Sequence, residues 1–216
     1  MRFSRSKRIN FLRMQVKLAR TAGFCMGVKR AMEVALQTAQ SQNLGIFTCG
    51  PLIHNPQAVE ALREKGIQVI TDWRTLERGV ILIRAHGMPR QEIEDIRAHG
   101  FPVVDATCPH VVVSQKRIQQ FAEKGFFIVI VGDPKHPEIL SLQSFAGSRV
   151  VVISSLDEAE RLPSLDKVMV IAQTTFNEAQ YREISQAVAQ KGQESRVFHS
   201  ICIATSNRQD EVAHLA

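Results

Sequence analysis

The sequence predicts an α/β fold in which parallel sheets are covered by helices on both faces. Short β-rich runs alternate with segments of helical period along nearly the whole chain. The runs at 80–83 and 126–131 are apolar without alternation, which is typical of strands buried on both faces. With 216 residues, of which 44% are hydrophobic, the chain is long enough for one large domain or two small ones.

Nine strands are predicted, and most of them are separated by helical segments. The strands fall at residues 16–19, 45–49, 67–70, 80–83, 102–105, 126–131, 149–153, 168–172 and 196–198. The first helical segment, 27–40, places four apolar residues on one face, namely Val28, Met32, Ala35 and Ala39. The segment 56–66 begins with proline and ends with glycine, and Ser155 precedes a further helix with acids in its first turn.

The positive charge of the chain is concentrated at its start. The net charge is +6, but residues 1–13 hold five basic residues and no acid, so the remainder has 22 basic and 21 acidic residues. We therefore expect residues 1–13 to be a disordered or misassigned leader, with an organellar targeting peptide as the less favoured alternative. A nearly neutral body argues against a nucleic-acid partner, although a module that binds nucleic acid through this leader remains an alternative. The apolar runs are too short to span a membrane. Four scattered cysteines do not form the disulfide framework of a small secreted protein, so we expect a protein of the reducing cytoplasm.

Three cysteines share one context along the chain. Cys25, Cys108 and Cys202 each follow an extended segment and precede a helical one, at separations of 83 and 94 residues. The pattern predicts repeated α/β units that each present a thiol at a strand-to-helix turn. We expect the first unit at 14–108, with 14–26 contributing to a third unit, the second unit at 109–199, and the start of the third at 200–216.

The chemistry of these thiols leaves two alternatives open. The chain has no CxxC pair, which argues against a zinc ribbon or a thioredoxin-like site. Three converging thiolates suit an iron–sulfur cluster or zinc, and three cysteines on a [4Fe–4S] cluster leave one iron open to substrate. Each cysteine could instead be a small buried hydrophobic residue, and this is the interpretation that we keep for Cys49.

Polar side chains follow five of the predicted strands, where open parallel sheets bind ligands. His54, His86 and His136 occupy equivalent positions, and three imidazolium groups would suit a doubly charged anion. Glu138 could be a general acid with a raised pKa, or simply an acid favoured by the dipole of the following helix. The hydroxyl of Thr174 could serve a substrate or a proton relay, or could cap the next helix.

Seven motifs carry a resemblance to a known family. GFCMGVKRA, GPLIHN, RAHG, DATCP, HPE, QTT and ICIATSNRQ occur in this order within residues 16–216. In this order they resemble the 4-hydroxy-3-methylbut-2-enyl diphosphate reductases, the last enzymes of the deoxyxylulose phosphate route to isoprenoids. The resemblance implies a pseudo-threefold trefoil of α/β units around a central [4Fe–4S] cluster. It also implies an iron–sulfur oxidoreductase that removes the allylic hydroxyl of its diphosphate substrate, with electrons from a ferredoxin or flavodoxin.

The resemblance also assigns residues and predicts departures. It makes Cys25, Cys108 and Cys202 the cluster ligands and Glu138 the proton donor. Thr174 lies near the substrate hydroxyl, and the diphosphate is bound by three residues, His54, His86 and His136. Because the family's chains continue beyond the third Cys helix, we expect the third unit to be incomplete; a glycine is also expected soon after HPE, where this chain has ILSLQSFAG. The alternatives are a non-catalytic protein that binds metal through its thiols and an inactive fragment of the reductase.

Overall fold

The computed structural model describes residues 16–216, so the predicted leader at 1–13 lies outside the described residues. The elements of the first half are α1 (Met26–Ser41), β1 (Ile46–Cys49), α2 (Pro56–Glu64), β2 (Ile67–Ile70), β3 (Val80–Ile83), α3 (Arg90–Ala98) and β4 (Val103–Asp105). Those of the second half are α4 (Pro109–Glu123), β5 (Phe127–Val131), α5 (Pro137–Gln143), β6 (Val150–Ile153), α6 (Leu156–Glu160), β7 (Leu165–Ala172), α7 (Glu178–Ala189), β8 (Gly192–Phe198) and α8 (Ile203–Leu215). None of the described helices is both long enough and apolar enough to cross a membrane.

The strands form two four-stranded sheets of the same design. The first sheet has the order β2-β1-β3-β4 and the second has the order β6-β5-β7-β8, and every pairing in both is parallel. The central strands β3 and β5 are apolar because helices cover both faces of each sheet, and their residues are almost completely buried. The predicted α/β class with repeated parallel-sheet units is therefore confirmed, while the unit boundaries at 108 and 199 stay predictions.

The strand predicted at 16–19 is wrong. Val16 and Leu18 are 89% and 86% exposed, and no strand of the described chain lies beside them. A strand needs a neighbour that accepts and donates its backbone hydrogen bonds. The backbone N–H groups of Arg20 and Thr21 instead donate to the carboxylate of Glu211 on α8. This segment is thus attached to the third cysteine-bearing helix by side-chain contacts.

Helix α1 packs the predicted face on the core, with Ala35 fully buried, but its most buried stripe is displaced towards small residues. Its buried residues are Gly27, Ala31, Ala35 and Thr38. The predicted residues Val28, Met32 and Ala39 are only partly buried and flank this stripe. The small side chains let the helix approach its neighbours closely, and the larger apolar residues cover the edges of the contact.

The helix ends follow the predicted signals. The side chain of Asn55 accepts a hydrogen bond from the backbone N–H of Ala58, and Pro56 occupies the first turn of α2. Ser155 and Glu158 form a reciprocal capping box at the start of α6. The caps thus mark where each helix begins after its strand. The short loops between strand and helix lie at the carboxyl edges of the two sheets, where such folds form their binding sites.

Candidate active site

The three predicted cysteines lie at equivalent helix starts and converge. Cys25, Cys108 and Cys202 are the N-cap residues of α1, α4 and α8, and none of their side chains makes a capping hydrogen bond. All three line one cavity of about 120 Å³. Because the thiols make no capping hydrogen bonds, their sulfur atoms are available to a ligand in that cavity.

Backbone hydrogen bonds hold two of these turns in the same way. The N–H of Cys108 donates to the carbonyl of Ala85, which lies two positions beyond β3, at 2.9 Å. The N–H of Cys202 donates to the carbonyl of Thr174, which lies two positions beyond β7, also at 2.9 Å. Each sheet therefore fixes one cysteine through the loop that follows its third strand in sequence.

The thiol of Cys108 packs directly against the backbone of Gly27, where any side chain would collide with its sulfur. A Cβ atom added to Gly27 would lie 2.5 Å from the Sγ of Cys108 and 4.0 Å from the Sγ of Cys25. Burial raises the pKa of the Cys108 thiol, and the nearby Cys202 and Cys25 add to the shift. A cationic group bound between the thiols would offset the repulsion between their negative charges. Thiolate sulfur is also the ligand that iron–sulfur clusters and zinc prefer. The three residues thus fit the predicted cluster.

The fourth cysteine lies elsewhere. Cys49 packs against the apolar cluster that contains Trp73 and Met88, and it does not line the cavity of the other three thiols. Burial raises the pKa of its thiol to about 11. A thiol that stays protonated among apolar side chains is a poor metal ligand, in agreement with its interpretation as a core residue.

The three predicted histidines form a cluster next to this cavity. The ring centroids of His54 and His86 are 4.2 Å apart, and each lies 5.4 Å from that of His136. One ring nitrogen from each lies within 4.8 Å of the others. His86 also lines the cysteine cavity, so a ligand held by the histidines would extend towards the thiols.

Burial opposes the expected positive charge at two of these three histidines. Burial lowers the pKa of His86 to about 3, and the neighbouring His54, His136 and Arg84 lower it further. Burial and His54 also lower the pKa of His136. The sequence indicated imidazolium groups, but it could not show that the three rings pack closely enough to desolvate and repel one another.

Glu138 is buried and held by Thr174. The carboxylate of Glu138 accepts hydrogen bonds from the backbone N–H and the hydroxyl of Thr174, both at 2.7 Å. Its side chain is 1% exposed, and burial raises its pKa although the two hydrogen bonds oppose the shift. Both residues line the cavity with the cysteines. A buried carboxyl with a raised pKa at a cavity wall has the properties of a general acid.

Two further residues that are not among the predicted site residues also line the cavity. Arg208 on α8 donates to the carbonyl of Ala204 and to that of Gly23, so it joins the helix of Cys202 to the segment before Cys25. His110, in the first turn of α4, also lines the cavity. Arg208 lies in the motif ICIATSNRQ, but only the structure shows that its side chain connects two cysteine turns.

Comparison with known proteins agrees with this arrangement. The family described as LytB protein matches residues 16–216. Two relatives, both 4-hydroxy-3-methylbut-2-enyl diphosphate reductases, come from Geotalea uraniireducens (strain Rf4), 41% identical over 203 residues, and Citrifermentans bemidjiense, 43% identical over 206 residues. Each match covers 94% of this chain and 72% of the relative.

Two solved structures have the same fold. The structure of (E)-4-hydroxy-3-methyl-but-2-enyl diphosphate reductase, the terminal enzyme of the non-mevalonate pathway, matches with a TM-score of 0.79 and 34% identity over 91% of this chain and 71% of its own. The E-1-hydroxy-2-methyl-but-2-enyl-4-diphosphate reductase of Plasmodium falciparum matches with a TM-score of 0.82 and 26% identity over 87% and 61%. With the family match over nearly all of its length, this chain belongs to the LytB protein family.

Proposed function

We propose that this chain catalyses the reductive removal of the allylic hydroxyl of 4-hydroxy-3-methylbut-2-enyl diphosphate, which gives isopentenyl and dimethylallyl diphosphate. The observation that carries the proposal is the convergence of three cysteines, a buried acid and one of the clustered histidines on a single cavity. The names of the relatives support the same substrate and reaction class.

In this proposal Cys25, Cys108 and Cys202 hold a [4Fe–4S] cluster. When bound, such a cluster passes electrons singly and offers an open iron as a Lewis acid. The free state of all three thiols and the cavity that they line together support this assignment. The matching one-electron donor is a ferredoxin or flavodoxin, and the cytoplasm is the compartment that keeps such thiols reduced.

Glu138 supplies the proton that lets the substrate hydroxyl leave as water. The C–O bond of the allylic alcohol breaks, two electrons enter the allyl fragment, and two protons complete the water and the new C–H bond. Burial raises the pKa of Glu138 and so favours its protonated form, and the hydroxyl of Thr174 touches its carboxylate. Thr174 therefore orients the acid and passes the proton to the substrate oxygen.

His54, His86 and His136 bind the diphosphate and orient the reacting carbon. Neutral imidazoles donate one hydrogen bond each, and the negative charge of the diphosphate favours their protonation. Since His86 is neutral in the ligand-free chain, binding of the diphosphate is expected to take up protons. A ligand held in this way would extend from the histidine cluster into the cysteine cavity.

Iron and sulfide analysis after anaerobic reconstitution tests the proposal. We expect about four irons and four sulfides per chain for the parent. Cys108→Ala should lose them, whereas Cys49→Ala, which changes a thiol outside the cavity, should retain them. One zinc without sulfide would instead establish the alternative of a non-catalytic thiol protein.

Turnover separates the enzyme from the remaining alternative. With the cluster in place, the parent should convert the substrate, and Glu138→Gln should keep its iron and sulfide but lose turnover, because the amide cannot supply the proton. A parent that holds the cluster without any turnover would be an inactive fragment of the reductase. Unchanged turnover in Glu138→Gln would exclude Glu138 as the proton donor.

A further inference from the structure

The histidine cluster combines loops of the first sheet, which carry His54 and His86, with the start of α5, which carries His136. His86 lies in the loop between β3 and α3, whereas His136 caps α5 and Glu138 lies in the first turn of that helix. The loop belongs to the first sheet and α5 to the second. The spacing of these three side chains therefore depends on whatever joins the loop to the helix.

Ser141 makes that connection at the centre of α5. Its hydroxyl donates to the backbone carbonyl of Met88 at 3.1 Å and accepts a hydrogen bond from the Nε2 of Gln115 at 2.9 Å. Ser141 is fully buried and Gln115 is 9% exposed. Gln115 lies on α4, so one hydroxyl joins the His86 loop, the helix of Cys108 and the helix of Glu138.

The loop backbone lies directly against this pair of side chains. Gly87 follows His86 and has φ of +80°, and a Cβ there would lie 2.6 Å from the Oγ of Ser141 and 2.8 Å from the Nε2 of Gln115. Only glycine allows both this backbone conformation and this approach. The residue next to His86 is thus packed on the serine and glutamine.

A second hydrogen bond from α5 supports the same junction. The backbone N–H of Arg90, in the first turn of α3, donates to the Oγ of Ser144 at 2.9 Å. Pro89, the N-cap of α3, gives no side-chain hydrogen bond, so Ser144 satisfies an amide that the helix start leaves open. The loop that carries His86 is therefore attached to α5 at two points.

We propose that Ser141, oriented by Gln115, is a positioning residue that sets the distance of His86 from His136 and Glu138. The proposal rests on the proposed function only in that the histidines bind the diphosphate. Replacing Ser141 with alanine leaves the carbonyl of Met88 and the amide of Gln115 without this partner inside the protein. The loop then gains a second arrangement, and the three rings lose their fixed separation.

Histidine NMR spectra of the ligand-free chain test the geometric part. In Ser141→Ala, the ring signals of His86 and His136 should shift or broaden. In the matched control Ser185→Ala, which removes a buried hydroxyl that donates only to Arg182 within α7, they should stay as in the parent. Parent-like histidine signals in Ser141→Ala would overturn the proposal.

Calorimetry with inorganic pyrophosphate tests the consequence for binding. Ser141→Ala should weaken pyrophosphate binding about tenfold, as expected for the loss of one buried hydrogen bond, and Ser185→Ala should not. Gln115→Leu keeps the hydrogen bond from Ser141 to Met88, so it should cause smaller changes in the histidine signals and in pyrophosphate binding. If Ser141→Ala does not fold, these measurements on Gln115→Leu test the proposal instead. A parent that fails to bind pyrophosphate would contradict the diphosphate role of the histidines, and the NMR result would still decide the positioning role.

Discussion

The two sheets share a scaffold but differ at one hydrogen bond. In both, the residue two positions beyond the third strand in sequence accepts the N–H of a cysteine, Ala85 in the first sheet and Thr174 in the second. The N–H of Ala85 donates to the backbone carbonyl of Leu52 at 3.2 Å. The corresponding N–H of Thr174 donates to the carboxylate of Glu138 at 2.7 Å.

This difference shows how one scaffold acquires an acid. The first sheet satisfies the amide with a peptide carbonyl and fills the adjoining space with the apolar side chain of Leu52. The second sheet uses a buried carboxylate for the same amide, and burial raises the pKa of that carboxylate. The position in the first sheet contributes to stability through packing, whereas the position in the second retains a buried ionisable group, which is what the proposed proton donor needs.

The largest expected effect comes from the apolar side of the comparison. Leu52→Ala should lower the free energy of unfolding by about 3 kcal/mol, because it removes a fully buried side chain and leaves a cavity. Nothing in this change titrates, so the loss should be the same at every pH, as measured by urea unfolding. A loss that varies with pH would mean that Leu52 also acts on the nearby histidines.

A smaller effect is expected on the carboxylate side. Thr174→Val removes the hydroxyl that donates to Glu138 and leaves one buried carboxylate oxygen without that donor, so unfolding should become easier by about 1 to 2 kcal/mol. The matched control is Thr38→Val, because the buried hydroxyl of Thr38 donates only to a carbonyl of its own helix. Equal losses in the two variants, measured by urea unfolding, would show that the contact between Thr174 and Glu138 has no special weight.

The elements of the fold could be predicted because their signals are local. Proline and glycine at the ends of 56–66, the Ser155 cap and the apolar strands each act within a few residues. The strand at 16–19 failed because pairing depends on a distant partner, which the apolar run itself does not specify. The face of α1 was predicted only in part, because small residues, and not the larger apolar ones, lie where the backbones come closest.

The sequence was sufficient to predict which site residues lie close together, but not how burial and neighbouring charges shift their pKa values. Equivalent positions after strands indicated Cys25, Cys108 and Cys202 and the three histidines, since carboxyl ends of parallel strands meet at one edge. The neutral state of His86 and the contacts of Ser141 depend on the mutual packing of loops from both sheets. Long-range packing of this kind leaves no periodic or spacing signal in the sequence.

The smallest expected effect is a change in the pH dependence of stability. Because burial raises the pKa of Glu138, the folded chain keeps a proton that the unfolded chain has released, so stability falls as the pH rises through the raised pKa. Glu138→Gln cannot titrate, and its amide can still pair with the N–H and hydroxyl of Thr174. Its free energy of unfolding relative to the parent should therefore rise as the pH increases above about 4, the ordinary pKa of glutamate, in urea titrations. Leu52→Ala supplies the control, since its curve should stay parallel to that of the parent. Parallel curves for Glu138→Gln and the parent would mean that Glu138 titrates normally, and the distinction drawn between the two sheets would then be structural alone.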